Sequence, residues 1–431
     1  MLALIIVTFL LLFTVVAWWR REVAAAVILA ALPTYLIRFK LFGIPLTLLE
    51  AGILVLFGIW VIQLIKQSGS IRSAWRSIHS NVSPKFGWLM GLWVAIGLAA
   101  AWWSGEAVAG LGLWKAYFLE PALFGLILLN IIRSELKVKW LFFGLGVGVL
   151  VVGLISVFQA LGLINSPEPW ASQSPARLSS VFEYPNAVGL LVAPIIALFI
   201  GLLVYHKESN RLSRLFPIGV ILFGLFAVAV AVSEGAVLGL AAAIILWAIL
   251  SKRRWLWLGL LGVLLAVCLI VPLTRHYVID RATFQDTSGD VRLRLWTSTV
   301  DLLKAHPIEG AGLGGFPAMY DIYRDAAHVE LLLYPHNIFL NFWVEFGLAG
   351  LVVWLGLIIR FFTLIIRTVR QSAGFQKAAA LSLLLSMTAL LGHGLVDVPY
   401  FKNDLAVLFI FLIVVAEVVS SQTRQNDENT L

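Results

Sequence analysis

Residues 274–335 read TRHYVIDRATFQDTSGDVRLRLWTSTVDLLKAHPIEGAGLGGFPAMYDIYRDAAHVELLLYP, and they interrupt an otherwise apolar chain. Directly after them, His336-Asn337 opens a further apolar stretch, HNIFLNFWVEFGLAGLV. Outside this interruption 61% of the 431 residues being hydrophobic and only 13% charged becomes visible as runs of about 16–25 apolar residues, the length that spans a bilayer. The mean hydropathy of +0.96 excludes an ordinary soluble domain. The expected fold is all-α, a polytopic membrane protein of about 12–13 transmembrane helices with one long extracytoplasmic loop.

Working outward, the apolar segments fall at 1–19, 23–37, 41–65, 86–103, 113–132, 140–164, 185–205, 216–232, 236–250, 255–273, 336–359, 378–396 and 405–419. The first two are the weakest, because Arg38 and Lys40 follow them on what would be the outside. Twelve segments with an inside N-terminus is the competing count. Residues 1–19 precede Arg20-Arg21, the reverse of a cleavable signal, so an uncleaved first helix is expected. The net charge of +8 does not point to nucleic acid. The basic residues are spread over short connections, where the positive-inside rule puts them. Lys66, Arg72, Arg76 and Lys85 mark one such cytoplasmic connection; Lys207, Arg211 and Arg214 mark another, with Glu208 one of its few acids. The chain divides into an N-terminal helical block 1–164, a central block 165–273 with a short outer loop 165–186, the long outer loop 274–335, a C-terminal block 336–420 and a polar cytoplasmic tail 421–431.

Within the long loop, Ser288-Gly289-Asp290 predicts a helix start with Asp290 as N-cap. Leu295, Trp296, Val300, Leu302 and Leu303 give residues 291–305 an apolar stripe, and His306-Pro307 ends it. Such a helix lies at the outer interface, where its arginines meet lipid phosphate or a phosphorylated substrate. Arg292 and Trp296 are four apart and share a face. Gly310-Ala311-Gly312-Leu313-Gly314-Gly315 lacks the Gly-Lys-Ser/Thr ending and the preceding strand of a nucleotide loop, and reads as a turn.

Asn337, Asn341 and Glu345 form a polar stripe that lipid does not tolerate, so it faces the bundle interior or a wet cavity. His336 stands at its mouth as a cap, an anchor or a base that takes a proton from a hydroxyl. Arg177 is the one basic residue of its outer loop, ahead of Asn186. His393 and Asp397 are four apart and are expected on one helix face, where they can pair. Lys115 and Glu120 read as a structural pair. Cys268 permits no internal disulfide. With no cysteine pair, His-Glu-x-x-His or Asp-x-Asp, no metal is expected, and arginines are the natural grips for phosphate. No cofactor is expected.

The stretches SGDVRLRLWTSTVDLLKAHPIEGAGLGGFPAMY (288–320) and YPHNIFLNFWVEFGLAGLV (334–352) resemble the signature region of the O-antigen ligase and polymerase superfamily. There an Arg lies four before a Trp, a His-Pro-x-x-Gly-x-Gly turn follows, and a His-Asn opens a helix that ends in Glu-x-Gly. RLSSVFEYPNAVG (177–189) is similar to its second signature, with Tyr184 where the pattern has Asn. The resemblance implies a C-type glycosyltransferase fold. It implies transfer of a glycan from a polyprenyl (undecaprenyl) diphosphate to a hydroxyl on a glycan, lipid or protein acceptor, at the outer face of the bacterial cytoplasmic membrane. Its implied roles are diphosphate binding for Arg177 and Arg292 and catalysis by His336, with Arg294, Asn337, Asn186, His393 and Asp397 as secondary candidates. The reaction would be inverting and metal-independent, and polysaccharide or lipopolysaccharide would be the product. The competing readings are a transporter of lipid-linked sugars, favoured by Glu50 and Glu120 inside apolar segments, and a non-enzymatic scaffold of a polysaccharide machine.

Overall fold

The computed structural model describes residues 2–41, 43–206, 211–325 and 332–428. Lys207 and Glu208, residues 326–331 of the long loop and the last three of the tail lie outside them. A chain in lipid must satisfy its backbone polar groups internally, and this one does so almost entirely with helices. Among the described residues, ten helices are long and apolar enough to cross a membrane, or eleven if one bent pair counts as a single span.

The first are α1 (Leu2–Trp19), α2 (Arg21–Ala30), α3 (Leu48–Ser68), α4 (Ile71–Asn81) and α5 (Pro84–Trp102). The expected second span, 23–37, is not a continuous helix. α2 stops after ten residues, Leu32–Leu36 forms a 3-10 turn carrying Pro33, and an antiparallel hairpin pairs Arg38–Leu41 with Ile44–Thr47. Arg38 and Lys40 therefore sit on a hairpin rather than at the end of a span. Thr47 and Glu50 then close a reciprocal capping box at the start of α3.

α6 (Ala107–Trp114) and α7 (Glu120–Ile131) run on through a π-helical turn, Lys115–Leu119. Lys115 Nζ lies 3.5 Å from Glu50 and 3.7 Å from Glu120. The two carboxylates that favoured a transporter are thus drawn into one structural knot around Lys115, Glu50 being also the cap of α3.

α8 (Glu135–Ala160), α9 (Pro185–Tyr205), α10 (Arg211–Ala231), α11 (Glu234–Leu250) and α12 (Arg254–Ile270) follow. α11 and α12 are 17 residues each, shorter than the other spans. After α12 the chain bends by 105° into α13 (Pro272–Ala282) and α14 (Thr287–Ala305), and α15 (Phe316–Tyr323) closes the loop region. The last three helices are α16 (Ile338–Gln371), α17 (Gly374–His393) and α18 (Asn403–Glu428).

α14 begins a turn earlier than expected. Its N-cap position is Asp286, and Asp290 lies inside the first turn, ion-paired to Arg294. Gly289 is not a break but a close approach: a Cβ there would stand 2.6 Å from Phe284 Cα. The apolar stripe of α14 buries Leu295, Leu302 and Leu303 against Ala311, Phe316, Tyr320 and Val344, so the protein itself covers that face.

The glycine turn after α14 is seated on α16. Ala311 N–H donates to Val344 O at 2.6 Å, and Gly314 N–H donates to the Glu345 carboxylate. α16 makes room by kinking at Gly347 (φ 68°, ψ −178°), a region open only to glycine; a Cβ there would lie 2.1 Å from Ile308 O.

Among the spanning helices, α9, α17 and α18 are the most enclosed. One end of this central group carries the start of α9, the end of α17 and the starts of α16 and α18. Ile338 N–H donates to Gly394 O at 2.8 Å, which ties the α16 start to the α17 end. Beneath them Trp93, Phe342, Phe346 and Tyr400 form a buried aromatic cluster, with Trp93 and Phe346 stacked at 5.4 Å. Large buried rings of this kind hold an end rigid. The opposite end is basic, with Arg360 bridging Glu417 and Ser83.

Candidate active site

His336 does not open α16 as a helical residue. It stands two residues before it, in a left-handed backbone conformation (φ 46°). Asn337 is the cap: its Oδ1 accepts from Phe339 and Leu340 N–H, and its Nδ2 donates to Leu395 O at 3.0 Å. A left-handed non-glycine residue costs free energy, so the surroundings must hold it. They do. Pro335 fixes one side, and Trp296 Nε1–H of α14 donates to Pro335 O at 2.9 Å. The Tyr334 and His336 rings lie 4.5 Å apart.

His336 Nδ1 lies 3.2 Å from Asp397 Oδ1, with the carboxylate almost wholly buried and the imidazole side chain 22% exposed. Asp397 also accepts from Val398 N–H at 2.8 Å. A carboxylate can only accept, so Nδ1 carries the hydrogen and Nε2 keeps its lone pair. Burial works to raise the Asp397 carboxyl. The His336 hydrogen bond, the neighbouring imidazoles of His336 and His393 and the Val398 N–H outweigh it, and hold the carboxyl at about 2 against an ordinary 3.8.

A folded value below the unfolded one stabilises the protein above the unfolded value, and that stability is lost as the pH falls through about 2. The contribution is about 2 kcal/mol. The unfolding free energy of wild type minus that of Asp397→Asn is therefore expected to shrink between about pH 5 and about pH 2, by acid titration with denaturant.

Asp397 lines a cleft of about 530 Å³. Arg177, Arg281 and Arg292 share that lining with Glu234 and Asp286. Glu234 pairs with Arg281, whose guanidinium also lies over the Tyr277 ring at 3.5 Å. Arg177 is held by neutral acceptors: Ala231 O at 3.1 Å, Val232 O at 3.3 Å and Asn186 Oδ1 at 2.7 Å. Burial works against its charge, and the nearby Glu234 acts the other way. Arg292 Nε–H donates to Val396 O at 3.2 Å. Glu234 is taken by Arg281 and Asp397 by His336, whereas Arg177 and Arg292 hydrogen-bond uncharged partners and are the groups of the cleft suited to meet an anion.

The Arg292-to-Trp296 spacing has a structural purpose. One face of α14 grips Val396, beside Asp397, and Pro335, beside His336. Trp296→Phe keeps ring packing against Phe284 and loses only the N–H bond to Pro335. Such a bond is worth about 1 kcal/mol. If His336 acts on substrate, the expected result is a several-fold lower turnover with an unchanged donor KM, measured by steady-state kinetics.

The structure thus brings Arg177, Asn186, Arg292 and Asp397 to one cleft, with His336 bonded to its wall. His393 does not share a helix face with Asp397. α17 ends at His393, Asp397 lies beyond it in the connection to α18, and its carboxylate pairs with His336 instead. His393 is buried behind the cleft, and its Nδ1 has no hydrogen-bond partner among the described residues. Arg294 is on another face of α14, exposed and ion-paired to Asp290 and Asp325. Asn337 serves α16 and the 395 backbone. Arg281 and Glu234 were not singled out in the sequence. One lay among the loop charges and the other in a short turn, and no local pattern joins them across 47 residues.

No curated protein matches the chain. Residues 218–355 match the family model described as O-antigen ligase, a segment from α10 into α16 that contains Arg281, Arg292, Trp296 and His336. Through that segment the chain is similar to O-antigen ligases.

Proposed function

We propose that the protein is an inverting membrane glycosyltransferase that moves a glycan from a polyprenyl diphosphate to an acceptor hydroxyl, at the outer face of the bacterial cytoplasmic membrane. The observation that carries this reading is His336, oriented by Asp397, at the wall of a cleft that also holds Arg177 and Arg292. Arg177 and Arg292 bind the diphosphate, with Asn186 setting the Arg177 fork. His336 Nε2 takes the proton of the acceptor hydroxyl as its oxygen attacks the anomeric carbon. The bond from that carbon to the diphosphate oxygen breaks, and its electron pair leaves with the polyprenyl diphosphate. His336 then returns its proton to solvent. The leaving group is already a stabilised anion, so no second carboxylic acid is required, unlike in glycoside hydrolysis. The arginines supply the charge that a metal would otherwise provide.

The test is release of carrier diphosphate. Full-length protein in nanodiscs receives a polyprenyl-diphosphate glycan and candidate acceptors in EDTA. Acceptor-dependent release that survives EDTA supports the reading. An acceptor that gains one long chain indicates a ligase; one that gains repeat units indicates a polymerase. No release with any donor, while the protein still binds the donor, contradicts it and favours a scaffold.

A further inference from the structure

A second cavity, of about 420 Å³, reaches the segment just before His336 through Leu333 and Tyr334. Tyr334, whose ring is 4.5 Å from the His336 ring, lines it, whereas Asp397, bonded to the same imidazole, lines the arginine cleft. His336 thus touches one lining residue of each space.

The lining combines aromatic faces with charged and polar groups of both signs. Tyr117, Tyr184 and Phe401 present rings, and Lys402 Nζ lies 3.9 Å above the Tyr184 ring. Arg38 and Lys402 are offset by Glu183 and Glu345. Asn341 is 1% exposed and lines this cavity, and its Oδ1 has no hydrogen-bond partner among the described residues. A buried carbonyl without a donor is costly, so a ligand that supplies one is favoured there.

These observations select a ligand class. An acyl chain would strand Asn341 and the charged groups against hydrocarbon. An anion would meet two carboxylates as well as two cations. A sugar ring suits both features: its C–H face packs on aromatic rings, and its hydroxyls both donate and accept. The volume falls in the range of small-ligand sites.

We infer that this cavity binds the sugar end of the acceptor, and that it presents a hydroxyl to His336 from the side opposite the diphosphate. The inference rests on the transferase reading above. It places the acceptor hydroxyl at His336 Nε2 and the diphosphate at Arg177 and Arg292, so that the attacking oxygen reaches the anomeric carbon from the side away from the leaving group.

The experiment uses full-length protein in nanodiscs and diazirine-tagged methyl hexopyranosides and methyl N-acetylhexosaminides as probes. Photolabelled peptides are mapped by mass spectrometry. The expected result is saturable labelling of the segments carrying Tyr117, Tyr334 and Phe401, protected by untagged glycoside. Asn341→Ala and Lys402→Met are expected to raise the half-protecting concentration about tenfold, and to shift half-saturation by undecaprenyl diphosphate by less than about twofold. Glu183→Gln and Arg38→Gln, both at exposed positions, give the same comparison without disturbing buried packing. Saturable labelling confined to the Arg177 cleft, or no saturable labelling of the cavity by any probe, overturns the inference. Carrier release without cavity labelling defeats this inference alone. Cavity labelling without carrier release defeats the transferase reading instead.

Discussion

Replacing His336 by alanine is expected to lower the transfer rate by about 10²- to 10⁴-fold, the range a positioned general base contributes. Binding of polyprenyl diphosphate should stay within about twofold, because the arginines proposed to meet it rest on Ala231, Val232, Val396 and Asn186 rather than on His336. The fold around the variant has other supports: the Trp296 bond to Pro335 O, the Asn337 cap and the Ile338 bond to Gly394 O. Backbone strain is controlled by a second variant. His336→Asn keeps a side chain that tolerates the left-handed conformation, and it should be as inactive as the alanine form. Thermal unfolding of both variants separates lost chemistry from lost structure. Single-turnover release of carrier, with donor saturating, measures the chemical step. A histidine variant that retains wild-type turnover would remove the base from the mechanism.

The second large effect is at Arg177. Arg177→Lys keeps the charge but not the planar fork that spans Ala231 O, Val232 O and Asn186 Oδ1 while facing the cleft. A hydrogen bond to a charged group is worth about 1.5–3 kcal/mol, so the donor KM is expected to rise about 10- to 100-fold. Arg177→Ala should lose at least as much and also weaken the loop, since the guanidinium joins the 165–186 connection to the turn between α10 and α11. Direct titration with undecaprenyl diphosphate checks binding, and unfolding checks the loop. Asn186→Ala, which frees the fork without removing it, is expected to have a smaller effect in the same direction. If Arg177→Lys bound and turned over the donor as wild type does, the diphosphate would have to sit elsewhere.

Much of this was readable before the fold was known. Arg177 stood out as the one basic residue of its outer loop, Arg292 by its four-residue spacing to Trp296 and by the family resemblance, and His336 because it sits between a long polar loop and an apolar run. The Asn341 and Glu345 stripe was readable because helical spacing puts polar residues on one face, and that face does line a cavity. The partner of His336 was not readable. Asp397 is 61 residues away, and its spacing to His393 suggested a helical pair; only the end of α17 at His393 turns the carboxylate toward His336. The second apolar segment misled because hydropathy does not register a break: Pro33 and the hairpin end α2 although the residues stay apolar. Asp290 looked like a cap because Gly289 reads as a break, whereas the helix uses that glycine to pass close to Phe284. Arg281 and Glu234 depend on how α13 folds back over the mouth of α11, which no local pattern encodes.

The most direct measurement is the anomeric configuration of the newly formed linkage. Wild-type protein is supplied with a donor of known configuration and its acceptor, and the product is read by one-bond carbon–proton coupling in NMR. A base that activates the acceptor opposite a diphosphate held by Arg177 and Arg292 gives a single new linkage of inverted configuration. A retained configuration, or carrier released with no new linkage, contradicts single displacement across His336.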